Sequence, residues 1–372
     1  MRATSGSTSG AQPRYASGRW PGTYAERVSR RALTLLLASV LAVGLTAGAV
    51  QARVPYVALG PGPTYNTLGE VDGTPVIAIE GRPTFPTDGH LDLTTVGVQS
   101  ELTLVEALRG WFARDLAVVP RELVYPPGRS DEEVQEQNTE LMRASQDSAT
   151  AAAARQLGIR IAEVTVAEVA PDAPAAGRLQ VGDVLTSLDG TALRDAAELR
   201  SLIASRQIGA VVRVGFVRAG RPAAIEITTG ASGGDGERRP VIGVVTQEKP
   251  VDIPFEVTIS LQEVGGPSAG LMFTLGILDK LDELSLTAGR YIAGTGEISA
   301  DGTVGPIGGI TQKLIAAKAK GAVAFLVPAD NCAEAVRRPP AGLPLVKVTT
   351  LTDALAGLEA LRQGEQPALC TG

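Results

Sequence analysis

The stretch Gly265-Gly266-Pro267-Ser268-Ala269-Gly270 sets one hydroxyl among small residues and a proline, just before the apolar run 271–278. The pattern predicts a loop that turns into a helix at the serine. Such a corner leaves Oγ exposed and aims the unpaired N–H groups of the helix start at whatever approaches. A nucleophilic serine needs both features, because its attack on a carbonyl generates an oxyanion. The backbone at Gly266, Pro267 and Ala269 is the expected frame for that charge. A serine N-cap after a Gly-Pro turn has the same local sequence and carries no chemistry.

A nucleophile needs a base, and the choice is narrow. Residues 266–270 also fit the nucleophile elbow G-x-S-x-G, which requires an acid and then a histidine downstream. The single histidine, His90, lies far upstream, so the esterase order fails. The stretch from Gly308 to Gly321 reads as a helix closed by glycine, with Ile310, Leu314 and Ala317 on one face and Lys313 at its border. A lysine held against apolar surface has its charged form disfavoured and can accept a proton. Alone, Lys313 reads first as an amphipathic edge residue whose stem lies along that face. The serine and the lysine together make the stronger case.

Gly266-Pro267-Ser268-Ala269-Gly270, then Thr295-Gly296-Glu297-Ile298, then Pro306-Ile307-Gly308-Gly309 with Lys313-Leu314-Ile315-Ala316-Ala317, resemble the proteolytic domain of Lon proteases over residues 240–362. The resemblance implies a Ser-Lys dyad with Ser268 as nucleophile, Lys313 as general base and Thr295 orienting the lysine. Members often carry an acidic residue three positions before the serine, where this chain has Gly265. Relatives with this fold are often rings, which implies a homo-oligomer.

Net charge is −6, which argues against nucleic acid as a partner. No C-x-x-C, H-E-x-x-H or other metal spacing occurs, so neither a metal nor another cofactor is expected. G-x-x-x-x-G-K-[ST] is also missing, so the chain is expected to work without ATP.

Residues 1–31 are polar and arginine-rich and read as a disordered basic tail; 32–52 carry no charge and match one bilayer span. The flanking arginines predict a cytoplasmic N-terminus with everything else outside. A cleaved signal peptide ending near Ala47-Gly48-Ala49 is the alternative. Residues 53–129 mix strand and helix signals, with a turn at Gly60-Pro61-Gly62-Pro63, strands at 76–79 and 91–98 and a helix at 102–112; this part is expected to pack on the serine domain. The segments Pro61-Gly62-Pro63-Thr64 and Thr94-Thr95-Val96 resemble membrane-anchored Lon-domain proteins that also carry a PDZ domain. Ser130-Asp131-Glu132-Glu133 opens a helix through 155, a spacer or packing arm.

Residues 156–230 resemble a PDZ domain of the protease-associated kind, through Pro171-Asp172-Ala173-Pro174-Ala175-Ala176-Gly177, Leu179-Gln180-Val181-Gly182-Asp183-Val184-Leu185 and Leu188-Asp189-Gly190. Such domains add a peptide as a strand and hold its C-terminal carboxylate on backbone N–H groups. Gln156-Leu157-Gly158-Ile159 fits their X-Φ-G-Φ loop, which puts that nest at Leu157, Gly158 and Ile159; a plain strand entry is the other reading. Residues 231–240 are a flexible linker, 241–362 an α/β domain beginning with a strand at 241–245, and 363–372 a tail.

The resulting expectation is an α/β Lon-type proteolytic domain plus a PDZ domain, a β-rich partly open barrel, preceded by one transmembrane helix. Its function would be that of a single-pass serine endopeptidase taking protein or peptide substrates by their C-terminal tails. A non-catalytic membrane-tethered PDZ scaffold with a degenerate Lon fold is the competing reading. The only cysteines, Cys332 and Cys370, are expected to form a disulfide on the oxidising side; a buried free thiol with an incidental tail cysteine is the alternative.

Overall fold

The computed structural model describes residues 30–232, 238–261 and 264–371. Residues 1–29 of the expected basic tail and the middle of the expected linker lie outside the described residues, while Arg30 and Arg31, expected in the tail, belong to the first helix. The chain divides into two compact units, Met1–Ala52 and Arg53–Gly372. In the first, the helix Arg30–Gln51 contains a segment, Ala32–Gln51, of mean hydropathy 2.2, long and apolar enough to cross a membrane.

The second unit is built on two sheets. One has the strand order Leu345–Val348, Ala324–Pro328, Tyr291–Gly294, His90–Gln99, Tyr56–Asn66, Ala117–Pro120. Its first four strands run parallel and the last three antiparallel, so chain from before and after the inserted region interleaves in one sheet. Strands of the segment 53–129 thus lie in the same sheet as Tyr291–Gly294 and Ala324–Pro328. The turn expected at residues 60–63 is instead a bulge inside the strand Tyr56–Asn66, with the register shifting between Pro61 and Thr64. Prolines cannot feed a ladder, and a bulge tolerates them. A Cβ on Gly62 would lie 2.8 Å from the Thr95 backbone, which explains the glycine.

The other sheet runs Arg221–Thr228, Val211–Arg218, Val184–Leu188, Ala162–Val169, Val244–Pro250. Asp189 and Gly190 both take positive φ, the geometry of a two-residue hairpin turn. Val166, Leu188, Val212, Val214 and Ile227 form a separate core under it. The strand expected to begin the serine domain at 241–245 thus departs from the sequence reading: Val244–Pro250 pairs antiparallel with Ala162–Val169. Ala170 N–H to Gly243 O and Ala175 N–H to Ile242 O secure its start.

Between the sheets in sequence runs the helix Asp131–Gln156, opened by the Ser130/Glu133 capping box. It is a packing arm. Met142, Ala149, Ala152 and Ala153 are buried against the helix Gly270–Leu281, and the small side chains let the two backbones approach until Thr274 Oγ1 reaches the Ala149 carbonyl.

Candidate active site

Ser268 occupies the turn into the helix Gly270–Leu281, whose Leu271, Met272, Phe273, Leu275 and Ile277 are fully buried. Burial of this helix fixes the corner rigidly. From one side, Asn138 O accepts the Gly266 N–H at 3.0 Å and Ser145 Oγ donates to Pro267 O at 3.0 Å, both from the helix Asp131–Gln156. From the other, the Ser268 carbonyl accepts from Gly296 N–H and from Thr295 Oγ1, each at 2.9 Å.

Lys313 arrives on the helix Ile310–Ala319. The N-cap of that helix, Gly309, has φ +69°, and a Cβ there would sit 2.7 Å from Val96 Cγ2. Only glycine lets the helix start come so close to the strand His90–Gln99. Lys313 is 2 % exposed, and its Nζ lies 2.7 Å from Ser268 Oγ and donates to Thr295 Oγ1 at 2.8 Å. Among the described residues no carboxylate pairs with it. Burial alone pulls its pKa down to about 7. A lysine so placed is neutral for much of the time near neutral pH and can take the serine proton.

Ser268, Thr295 and Lys313 are thus brought together in the arrangement that the resemblance implies. The oxyanion frame is only partly as expected. The Gly266 N–H is committed to Asn138, and Pro267 has no N–H to offer. Among the described residues the N–H groups of Ser268 and Ala269 have no recorded acceptor, which leaves those two to face an oxyanion. Gly265 stands where a Cβ would lie 3.0 Å from Asn138 Cβ, so the arm helix fills the space an acidic side chain would use. A cleft of about 480 Å³ opens over Ser268 and Lys313 and is also lined by Tyr65, Thr94, Thr95 and Glu297. Tyr65 and Glu297 were not singled out as site residues, because only the sheet pairing brings Tyr65 to Leu93 and Glu297 to Gly305. His90 stacks on Tyr291 at 4.5 Å and faces Asp92, and none of its recorded contacts is with Ser268.

Two family models match the chain. Residues 257–355 match the Lon protease (S16) C-terminal proteolytic domain, and residues 134–229 match the PDZ domain. The chain thus carries one stretch that matches a PDZ domain and another that matches a Lon proteolytic domain. It is 35% identical over 92 residues to Lon protease 2 of Bacillus subtilis, which covers 25% of this chain and 16% of that protein. It is 41% identical over 68 residues to the periplasmic pH-dependent serine endoprotease DegQ of Escherichia coli, covering 18% of this chain and 15% of the relative. The chain therefore spans about a sixth of the length of these curated relatives. Among solved structures, the PDZ domain of an SdrC-like protein from Listeria monocytogenes is 30% identical, with 22% of this chain and 85% of that one covered and a TM-score of 0.21.

The expected carboxylate nest at Leu157, Gly158 and Ile159 is overturned by its hydrogen bonds. The three N–H groups donate to Ala153, Arg155 and Ala154 carbonyls and close the helix Asp131–Gln156 with Gly158 at φ +76°. Leu157 and Ile159 pack on the serine-side core. A second X-Φ-G-Φ stretch, Val241-Ile242-Gly243-Val244, lies at the other end of this region. Gly243 has φ +78°, the edge strand Val244–Pro250 follows, and a groove of about 560 Å³ runs between this strand and the helix Ala196–Ala204, floored by Leu199, Ile203 and Ile242. The matched PDZ stretch stops at residue 229, short of this strand.

Cys332 and Cys370 are joined in a disulfide that closes a separation of 38 residues, and Cys370 N–H donates to Leu345 O beside it. The tail is thereby tied to the edge of the sheet.

Proposed function

We propose that this protein is an ATP-independent serine endopeptidase, anchored by one membrane span with its folded part outside the cytoplasm, in which Ser268 is the nucleophile and Lys313 the general base. The 2.7 Å approach of the buried Lys313 Nζ to Ser268 Oγ carries this reading. An extended substrate lies along the strand His90–Gln99 beyond Leu93, where the pairing with Tyr291–Gly294 ends and the cleft begins. Neutral Lys313 takes the Ser268 proton as Oγ attacks the scissile carbonyl. The N–H groups of Ser268 and Ala269 receive the oxyanion, and Thr295 holds the lysine on line. The protonated lysine then gives its proton to the leaving amine. Water enters, Lys313 takes one of its protons, and the acyl-enzyme is hydrolysed. The groove between Val244–Pro250 and Ala196–Ala204 receives apolar C-termini and raises the local concentration of tailed substrates.

Purified protein with Ser268→Ala should lose peptide cleavage while its circular dichroism is unchanged. Full activity in that variant would refute the assignment. The scaffold reading, with the groove alone functional, would be favoured by tight peptide binding with no cleavage in the unaltered protein.

A further inference from the structure

The helix Leu104–Phe112 is built inside out. Its inward face is small: Ala107 and Gly110 are buried, and a Cβ on Gly110 would lie 2.6 Å from Val118 Cγ2, so the helix lies flush on the strand Ala117–Pro120. Its large apolar side chains point to solvent. Leu104, Leu108, Trp111 and Phe112 are 36%, 42%, 53% and 87% exposed, and Leu123, just past that strand, is 72% exposed. The spacing i, i+4, i+7, i+8 makes the four helical residues one stripe. A water-facing surface helix carries its apolar stripe inward, so a stripe turned outward marks an interaction face.

The position of the helix in the chain indicates the partner. Arg53, two residues past the end of the helix Arg30–Gln51, forms a bridge with Thr103, the N-cap residue, and Val54 N–H donates to Leu102 O at 2.9 Å. Two residues span about 7 Å at most. Arg53 therefore lies within that reach of the end of the apolar helix, and it is bridged to the residue that precedes the stripe. Tyr56 holds the Trp111 indole edge-on at 5.6 Å, and an indole is the side chain that best suits the boundary between hydrocarbon and water. Of the nearby charges, Arg53 pairs with Glu101 and Arg121 with Asp131, and the outward stripe itself is apolar, so burial of that stripe supplies the main attraction.

We infer that the helix Leu104–Phe112 docks on the surface of the bilayer, with Leu104, Leu108, Trp111 and Phe112 inserted into its interfacial layer. The inference rests on the proposal that 32–51 crosses that bilayer. An interfacial helix of this kind would hold the catalytic unit down on the membrane.

The full chain with Trp20→Phe, which leaves Trp111 as the sole indole, can be reconstituted in phosphatidylcholine vesicles whose acyl chains carry bromine at shallow or deep positions. Trp111 emission should be quenched, more by shallow than by deep bromine, and unaffected by high salt. Adding Leu108→Asp and Phe112→Asp should abolish the quenching while cleavage of a short soluble peptide is retained. Resistance to alkaline carbonate reports the span separately. A carbonate-resistant chain with unquenched Trp111 overturns the docked helix and leaves the span standing. Quenching in a carbonate-extractable chain supports the docked helix and removes the span. Trp111 shielded from aqueous acrylamide yet unquenched by bromolipid indicates a protein partner, such as a second copy, and overturns the proposal.

Discussion

Replacing Lys313 with methionine should make the fold more stable at neutral pH while destroying activity. Lys313 is 2 % exposed and its pKa is drawn from 10.5 to about 7 by burial. That gap corresponds to about 5 kcal/mol of differential stability between the two protonation states. Between pH 7 and 10.5 the unfolded chain holds a proton that the folded chain has released, so unfolding takes up a proton and stability rises with pH through this window. Below pH 7 both states are protonated and the full penalty applies. From pH 7 to 9 the gain is about 2 kcal/mol. The methionine variant removes the penalty and gives up the hydrogen bonds to Ser268 and Thr295, about 1 kcal/mol each, which leaves a net gain of about 2 kcal/mol at pH 7. Amide hydrogen exchange over Ile310–Ala319, corrected for the intrinsic pH dependence of exchange, reads this locally. Protection should increase from pH 7 to 9 in the parent protein and stay flat in the variant. Equal pH dependence in both, or protection that falls with pH in the parent, would refute the desolvated lysine.

Thr295→Val should reduce kcat by roughly 10- to 30-fold with KM little changed, because about two hydrogen bonds that aim the lysine and the serine carbonyl are lost; an effect on KM alone would contradict a positioning role. Ser145→Ala frees the Pro267 carbonyl and should lower kcat about fivefold without altering the pH profile, whereas unchanged kinetics would mean that the arm helix does not hold the corner. Cys332→Ser with Cys370→Ser should lower stability by about 3–4 kcal/mol in a denaturant titration with activity retained at low temperature, and no shift in midpoint would deny the bridge a role. Ala204→Trp fills the groove from its exposed rim and should raise KM for tailed protein substrates while short peptides are cleaved as before; equal losses on both would assign the groove a structural role.

Ser268 and Lys313 could be read from a glycine-framed corner and a helix edge, whereas the role of Thr295 came only from the resemblance to Lon proteolytic domains. The oxyanion frame was less legible, since the Gly266 N–H is taken by Asn138, a carbonyl distant in sequence. The arm helix looked thinly apolar because alanine counts little in a periodicity, yet small side chains are what permit a close helix pair. Gly60-Pro61-Gly62-Pro63 has the composition of a turn, and only its neighbour Thr95 shows that the chain passes straight through as a bulge. Two stretches fit X-Φ-G-Φ. Excluding the first required knowing that its N–H groups at 157–159 are spent on closing a helix, which a local pattern does not show.

The dyad is tested most directly by mapping where a serine-directed phosphonate attaches, using mass spectrometry of the labelled, proteolysed protein across pH. Label should be found on Ser268, with a rate that falls about tenfold per pH unit below about 7 and levels off above it, following the neutral fraction of Lys313. Lys313→Arg should fold and fail to label at any of these pH values, because guanidinium does not surrender its proton. Label on another serine, or a Lys313→Arg protein that labels as fast as the parent, would contradict the account.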